Sequence, residues 1–312
     1  MGKSRKKLSF IVTGGSGFVG KSLIEKLSAQ SKVIYCLDKK FSKNYKFPKN
    51  VKKVKVDLKD YKDLKKKTIN IKKIDIVIHT AAKQPFSKEN KLQEYINANV
   101  IGTGNLLNIC EEKKFLKIIA CSSFSVYGKP DKLPIKENHD LNPINTYGLS
   151  KVLAENLYKF YSKNRKFKII ILRFDGIFGY KQNLPGFIEF ATRKILKKEK
   201  FEVFANGNLV RDQISVDDVV SIIIKSVKYI KNFNHIIFNA GSGQPKKAKK
   251  ILNIIFKDLK MKSNIKYTKK LNPNFNYNTF MDISKAKKYL KFKPYSLNKS
   301  ISIMLNKIQN ES

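Results

Sequence analysis

Thr13-Gly14-Gly15-Ser16-Gly17-Phe18-Val19-Gly20 is the stretch on which the reading of this chain turns. The run before it, Leu8 to Thr13, is short and apolar and predicts a buried parallel strand. After it, Phe18, Val19, Leu23, Ile24 and Leu27 recur at helical spacing as far as Ala29. Glycines at 14, 17 and 20 therefore fall in a strand–turn–helix context. Gly14 allows the tight turn, Gly17 lets the backbone approach a pyrophosphate, and Gly20 lets the helix pack close to the sheet. The helix start at Phe18 and Val19 offers free N–H groups and the positive end of its dipole to phosphates. A dinucleotide site is expected there.

Working outward, strand-like runs follow at Lys32–Leu37, Val51–Val56, Ile74–Ile78, Phe115–Cys121 and Phe167–Leu172. Helical patterns cover Leu92–Lys113 and Thr146–Lys163. This alternation predicts an α/β fold, a Rossmann-type doubly wound parallel sheet with right-handed crossovers. Beyond Arg173 the regularity changes. Helices are expected at Pro185–Lys198, Asp217–Tyr229, Ala248–Leu259 and Ser284–Leu290, with short strands at Phe201–Phe204, Gln213–Val216 and Ile236–Phe238. The expected division is a cofactor domain, residues 1–175 plus about 210–240, and a smaller C-terminal α/β substrate lobe, about 176–209 plus 241–312.

Asp38 ends the second strand, where a carboxylate accepts hydrogen bonds from adenosine ribose hydroxyls and repels a 2′-phosphate. NAD is therefore the expected cofactor, although Lys39 and Lys40 next to it could instead welcome a phosphate. Tyr147-Gly148-Leu149-Ser150-Lys151 puts a phenol and an ammonium one helical turn apart on one face. A tyrosine near its free pKa of about 10 is a poor base at neutral pH, and a fixed cation beside it lowers that value. Cys121-Ser122-Ser123-Phe124-Ser125-Val126-Tyr127-Gly128 follows the fifth strand, at the sheet end where such folds bind ligands.

Together these motifs resemble the extended short-chain dehydrogenase/reductase family, in its UDP-glucose 4-epimerase-like nucleotide-sugar epimerase/dehydratase group. The resemblance covers nearly the whole chain. It also takes in Asp57-Leu58, His79-Thr80-Ala81-Ala82, Asn99-Val100-Ile101-Gly102-Thr103, Arg211-Asp212-Gln213 with Val216-Asp217-Asp218, Asn239 to Gly243, and Asp282 to Lys287. It implies that Asp57 and Leu58 contact adenine, that Ala81 and Ala82 line the nicotinamide side, and that Asn99 belongs to the cofactor site. Tyr147 would be the acid/base, with Lys151 holding the nicotinamide ribose. Ser123 would hydrogen-bond the reacting hydroxyl, with Ser125 beside it, and Arg211 would clamp the substrate pyrophosphate. A homodimer through 92–113 and 146–163 is also implied, while apolar faces there fit an ordinary core equally well.

The residues after Ser123 choose among reactions. Dehydratases of the family carry an Asp-Glu pair there, because elimination needs an extra acid and base. Phe124 and Ser125 cannot do that work. Epimerisation at C4 of a nucleotide sugar is the leading expectation; reduction of a 4-keto sugar by a reductase or dehydrogenase is the alternative. Two departures weaken any specific sugar assignment. Gly176 stands where an Asn side chain would contact substrate, and Gln213 where an aromatic is usual.

Composition bounds the rest. The 312 residues carry 65 Lys plus Arg against 24 Asp plus Glu, a net +41. Only five of the 65 are Arg, and the Lys is spread along the whole length. That distribution fits a solvated surface of biased composition, with no specific nucleic-acid module. A non-catalytic scaffold that binds polyanions is the outside alternative. Cys36, Cys110 and Cys121 lack metal spacing and read as structural thiols of a reducing, cytoplasmic compartment. His79 reads as structural, Asp217-Asp218 as a helix cap, and no metal site or membrane span is expected. The basic start, Met1 to Lys7, precedes too short an apolar run for a signal peptide.

Overall fold

A computed structural model describes residues 6–85, 91–182, 186–261, 265–271 and 276–310. The basic start at 1–5 and Pro185 lie outside them. The first elements are β1 (Leu8–Thr13), α1 (Phe18–Ser28), β2 (Ser31–Asp38), β3 (Val51–Lys55), α2 (Tyr61–Thr68) and β4 (Ile76–His79). Next come α3 (Leu92–Tyr95), a π-turn at Ile96–Ile101, α4 (Gly102–Glu112), β5 (Lys117–Ser123), α5 (Thr146–Asn164) and β6 (Lys168–Phe174). Then follow β7 (Gly176–Phe178), α6 (Phe187–Leu196), β8 (Phe201–Val203), β9 (Val210–Arg211), β10 (Gln213–Ser215), α7 (Val216–Tyr229) and β11 (His235–Ala240). The chain ends with β12 (Lys246–Lys247), α8 (Ala248–Leu259), β13 (Ile265–Tyr267), α9 (Ser284–Leu290) and α10 (Leu297–Gln309).

Seven strands form one sheet in the order β11-β6-β5-β4-β1-β2-β3. Pairing is parallel from β5 through β4, β1 and β2 to β3. This is the doubly wound α/β sheet expected from the sequence. Its central strands β1, β4, β5 and β6 read as near-continuous apolar runs, as strands covered on both faces do, whereas the edge strand β3 is lysine-rich and largely exposed. Phe10, Ile11 and Val12 on β1 and Val77 and Ile78 on β4 are all buried. Strand order reverses between β1 and β4, and such a switch point opens a crevice beyond the carboxyl ends.

Contacts divide the chain into two compact units. One comprises 1–128, 140–173 and 220–238, and the other 129–139, 174–219 and 239–312. The first is built on the sheet and a core that includes Leu64, Leu106, Leu107, Ile118 and Ile169. The second has its own core, with Phe178, Ile188, Ile251, Ile255, Ile301 and Leu305.

The helix expected over 92–113 is not uniform: the π-turn carrying Asn99 separates α3 from α4. The expectation did not include α2 or α10. In α2 only Leu64 and Thr68 are buried, so its helical stripe is thin. In α10 the stripe is Leu297, Ile301, Met304 and Leu305, with the Ser296 hydroxyl accepting from the Lys299 amide at 3.3 Å as a cap.

Alanine at two glycines should separate packing from propensity. At Gly20 a Cβ would meet the Gly14 carbonyl oxygen at 2.2 Å and Gly15 Cα at 2.6 Å, backbone atoms that cannot move aside. At Gly104, inside α4, it would meet only Leu157 Cδ1, at 3.9 Å. In urea unfolding, Gly20→Ala is expected to cost about 1–3 kcal/mol. Gly104→Ala is expected to stabilise by about 0.5–1 kcal/mol.

Candidate active site

The loop after β1 is packed tightly against the ends of β1 and β4, most tightly at Gly14 and Gly20. Gly14 takes φ +69, and a Cβ there would sit 2.7 Å from Ala81 Cα and N, so the carboxyl ends of β1 and β4 meet at this point. A Cβ on Gly17, by contrast, would meet only the Gly14 oxygen, at 3.1 Å. No side chain caps α1, whose first backbone bond runs from Lys21 N to Gly17 O at 2.9 Å. The amides of Phe18, Val19 and Gly20 therefore have no acceptor among the described residues. Three donors without an acceptor among the described residues and a helix dipole fit the pyrophosphate of a dinucleotide.

Asp38 lies at the end of β2. Its Oδ2 accepts from Ser16 N at 2.9 Å and its Oδ1 from Lys40 N at 3.3 Å. Each oxygen keeps lone-pair capacity for a ribose hydroxyl. Asp57, after β3, accepts from Lys59 N at 3.1 Å. The Leu58 side chain belongs to the core, and its carbonyl accepts from Asn105 Nδ2 at 2.8 Å. Ala81 and Ala82 follow β4 and are half-buried.

Tyr147 and Lys151 stand in the first turns of α5, which Asn145 caps by accepting from Gly148 N at 2.7 Å. Gly148 is required there: a Cβ would fall 2.4 Å from the Ser125 carbonyl oxygen. Tyr147, Lys151 and Ser123 are all buried, each at most 8 % exposed. Lys151 Nζ donates to the Cys121 carbonyl at 2.7 Å, which fixes the ammonium behind β5. The Tyr95 ring meets the Tyr147 ring edge-on at 6.2 Å. Ser123 Oγ lies 3.2 Å from Ser125 Oγ and accepts from Ser125 N at 3.2 Å.

The electrostatics differ from the sequence expectation. Burial pushes the Tyr147 phenol up to about 12, and a hydrogen bond with Ser123 opposes that rise. Burial also lowers Lys151, while Cys121 and Glu155 hold it up. The net shift of the phenol is upward because desolvation, with Cys121 and Tyr95 adding to it, outweighs the Ser123 hydrogen bond. Ser123 has one proton to give. With a neutral phenol it donates to Ser125; with a phenolate it can turn and donate to Tyr147.

Two buried networks were not anticipated. Glu155 stands one turn beyond Lys151 and pairs with Arg173 at the end of β6, Nη2 to Oε2 at 2.6 Å and Nε to Oε1 at 3.0 Å. Ser122 Oγ donates to the same carboxylate at 2.6 Å, and Arg173 Nη1 donates to the Tyr127 hydroxyl at 2.8 Å. The signal available was the 147, 151, 155 spacing and the scarcity of Arg. Around His79, the Thr103 hydroxyl donates to Asn99 O at 2.7 Å. It therefore accepts from His79 Nε2–H at 3.1 Å, and Nδ1 accepts from the Thr13 hydroxyl at 2.5 Å. Asn99 Nδ2 donates to Ser150 Oγ at 2.9 Å and Lys83 O at 3.2 Å, so both amide protons tie protein segments together.

In the second unit, Arg211 donates to the carbonyls of Val210, at 2.9 Å, and Tyr277, and lies over the Tyr277 ring at 5.8 Å. Asp212 is fully buried and accepts from Ser242 N and Gly243 N, both at 3.0 Å, and from Ser242 Oγ. The cap of α7 is Ser215. Its hydroxyl accepts from Asp218 N at 3.1 Å and donates to Asp218 Oδ2 at 2.7 Å, a reciprocal capping arrangement. Asp217 pairs with Lys307 at 3.3 Å. Cys36, Cys110 and Cys121 are free thiols, each pushed up to about 12 by burial. Among the described residues no group of His, Cys, Asp or Glu could hold a metal ion, and no helix is long and apolar enough to cross a membrane.

An open parallel sheet with a glycine loop at its switch point, and a Tyr/Lys helix beside a serine-bearing strand end, defines a dinucleotide-dependent enzyme of the short-chain dehydrogenase/reductase kind. Residues 10–241 match the model of the NAD dependent epimerase/dehydratase family, and the chain belongs to that family, whose cofactor is NAD. It is 32 % identical to a Methanocaldococcus jannaschii protein provisionally named UDP-glucose 4-epimerase, over 97 % of this chain and 99 % of that one. It superposes on a Thermotoga maritima UDP-glucose 4-epimerase with UDP-glucose at TM-score 0.88 and 22 % identity, covering 97 % of this chain and 99 % of that one. A Thermus thermophilus UDP-glucose 4-epimerase complexed with NAD gives 0.87 at 21 %, covering 98 % and 100 %. At these identities the two structures establish a shared fold.

The His79 network predicts an acid sensitivity. Burial, with Lys151 adding to it, lowers His79 to about 3, so the folded chain keeps it neutral while the unfolded chain protonates it near 6.5. The unfolded state binds the extra proton between those values. Stability is therefore complete above pH 6.5 and falls as pH drops toward 3, by up to about 1.4 kcal/mol per pH unit. Urea unfolding at pH 7 and pH 4.5 should show a smaller loss for His79→Gln than for wild type. Parallel losses would remove His79 as the source.

Proposed function

We propose that this chain is an NAD-dependent epimerase that inverts C4 of a nucleotide-activated sugar, with Tyr147 as the acid/base. The observation that carries this reading is the buried set of Tyr147, Ser123 and Lys151, with only Phe124 and Ser125 after the serine. No carboxylate stands there to assist elimination of water. UDP-glucose, named for the Methanocaldococcus relative and present with the Thermotoga enzyme, is the substrate to test first.

The first unit would hold the cofactor: pyrophosphate on the amides after Gly17, ribose on Asp38, adenine against Asp57 and Leu58, nicotinamide beside Ala81 and Ala82. Asn99 would act by positioning Lys83 and Ser150. The chemistry that bound NAD supplies is reversible hydride acceptance at C4. Tyr147 Oη would take the proton of the C4 hydroxyl and later return it. Ser123 Oγ would orient that hydroxyl, with Ser125 accepting its proton in the resting state. Lys151, held on Cys121 O, would hold the nicotinamide ribose and keep a positive charge near the phenol. In the second unit Arg211 would clamp the diphosphate, oriented by the two carbonyls it already holds. The exposed apolar residues Leu92, Ile101, Leu149 and Phe160 support a homodimer through these helices. Free thiols, with Cys36 and Cys110 buried and Cys121 half-buried, suit a reducing cytoplasm.

Tyr147→Phe removes one oxygen and leaves the ring packing intact. Interconversion of UDP-glucose and UDP-galactose should fall about 10²–10⁴-fold in kcat, with cofactor retained. Unchanged turnover would sink the assignment of Tyr147.

A further inference from the structure

The two departures at 176 and 213 are one structural arrangement. Gly176 and Gln213 are partners across the parallel pair of β7 and β10, within the second unit. A Cβ on Gly176 would lie 2.7 Å from Gln213 Nε2, 2.8 Å from Oε1 and 2.9 Å from Cδ. The carboxamide of Gln213 thus occupies the space that a side chain at 176 would take. The Gly176 backbone is not left-handed, so conformation does not demand glycine there. A side chain at 176 would instead displace the Gln213 carboxamide from the place it holds.

Gln213 is only 7 % exposed, yet its side chain makes no hydrogen bond among the described residues. Its polar atoms are not sealed in: they are not among the buried atoms that lack a partner. A leucine or methionine would fill the same volume without placing an amide at a nearly closed surface. The neighbourhood shares this character. Asp175, beside Gly176, has Oδ2 buried and without a partner. Burial and Asp212 raise Asp175 well above the usual carboxylate range, against the pull of Arg211, so the acid is held toward its neutral form and does not repel an anion. Arg211, two residues before Gln213, supplies the positive charge.

We propose that Gln213 is a substrate-contact residue, whose carboxamide hydrogen-bonds the sugar-diphosphate end of a nucleotide sugar beside Arg211. This assignment rests on the function proposed above. The side-chain contact that Gly176 cannot make is made from the neighbouring strand: Nε2 donates to a diphosphate or hydroxyl oxygen, and Oε1 accepts from a sugar hydroxyl.

Calorimetric titration of the NAD-loaded protein with UDP-glucose, UDP-galactose and UDP-N-acetylglucosamine tests it. Gln213→Met keeps the volume, and Gln213→Glu adds a charge. For whichever sugar wild type binds, the Met variant should raise Kd about tenfold, the equivalent of one lost hydrogen bond. Its Tm should stay level or rise, and the Glu variant should bind more weakly still. A residue that merely packs would lower Tm on replacement and leave Kd alone; equal Kd for wild type and the Met variant overturns this assignment by itself. Wild type that binds none of the three sugars overturns the nucleotide-sugar reading, and this assignment with it.

Discussion

The ion pair between Glu155 and Arg173 is the interaction on which the candidate catalytic apparatus rests. Both side chains are nearly inaccessible, 4 % and 2 % exposed, and they join α5 to the end of β6. Removing two charges from water costs several kcal/mol each, and attraction offsets this only if every remaining polar site is matched. Here Ser122 supplies a third donor to the carboxylate and Tyr127 an acceptor to the guanidinium. One consequence is directional. Tyr147, Lys151 and Glu155 follow each other by one turn, so anchoring Glu155 to the sheet sets the rotation of α5 about its axis. The phenol is then presented to Ser123 and the ammonium to the Cys121 carbonyl. A hydrophobic replacement could match the stability of such a pair, but would not fix that rotation.

A steric constraint does the same for the glycine loop. Gly14 approaches Ala81, and Gly20 approaches the Gly14 carbonyl, so tightly that neither tolerates a Cβ. This draws the N-terminus of α1, whose first three amides have no acceptor among the described residues, against the ends of β1 and β4. The neutral His79 supports the same junction from inside the sheet, linking Thr13 on β1 to Thr103 on α4. Sheet order, loop sterics and buried hydrogen bonds therefore converge at one switch point.

How much of this was legible in the sequence varied with the physics involved. The parallel sheet and α5 were readable because buried strands and a long amphipathic helix impose regular patterns. The Tyr147–Lys151 pair was readable because it lies within one turn. The π-turn at Asn99 was not, since π and α spacing differ by one residue and the amide that ties Lys83 to Ser150 acts across the fold. The phenol's upward shift was missed because burial depth is a tertiary property. Helix α10 carried a readable apolar stripe and a serine cap, and could have been found. The Glu155–Arg173 and Gly176–Gln213 pairings join residues distant in sequence, and only the assembled strands bring them together.

The net charge of +41 has no corresponding site in these networks, which use few of the lysines and two arginines, Arg173 buried and Arg211 half-buried. On the proposed function, the glycine loop and the Tyr147 site serve a cofactor regenerated in every turnover. The most direct test is to denature freshly purified protein and identify the released nucleotide by mass spectrometry. NAD is expected at close to one per chain. A protein that carries no nucleotide and takes up NADPH in preference to NAD would contradict it.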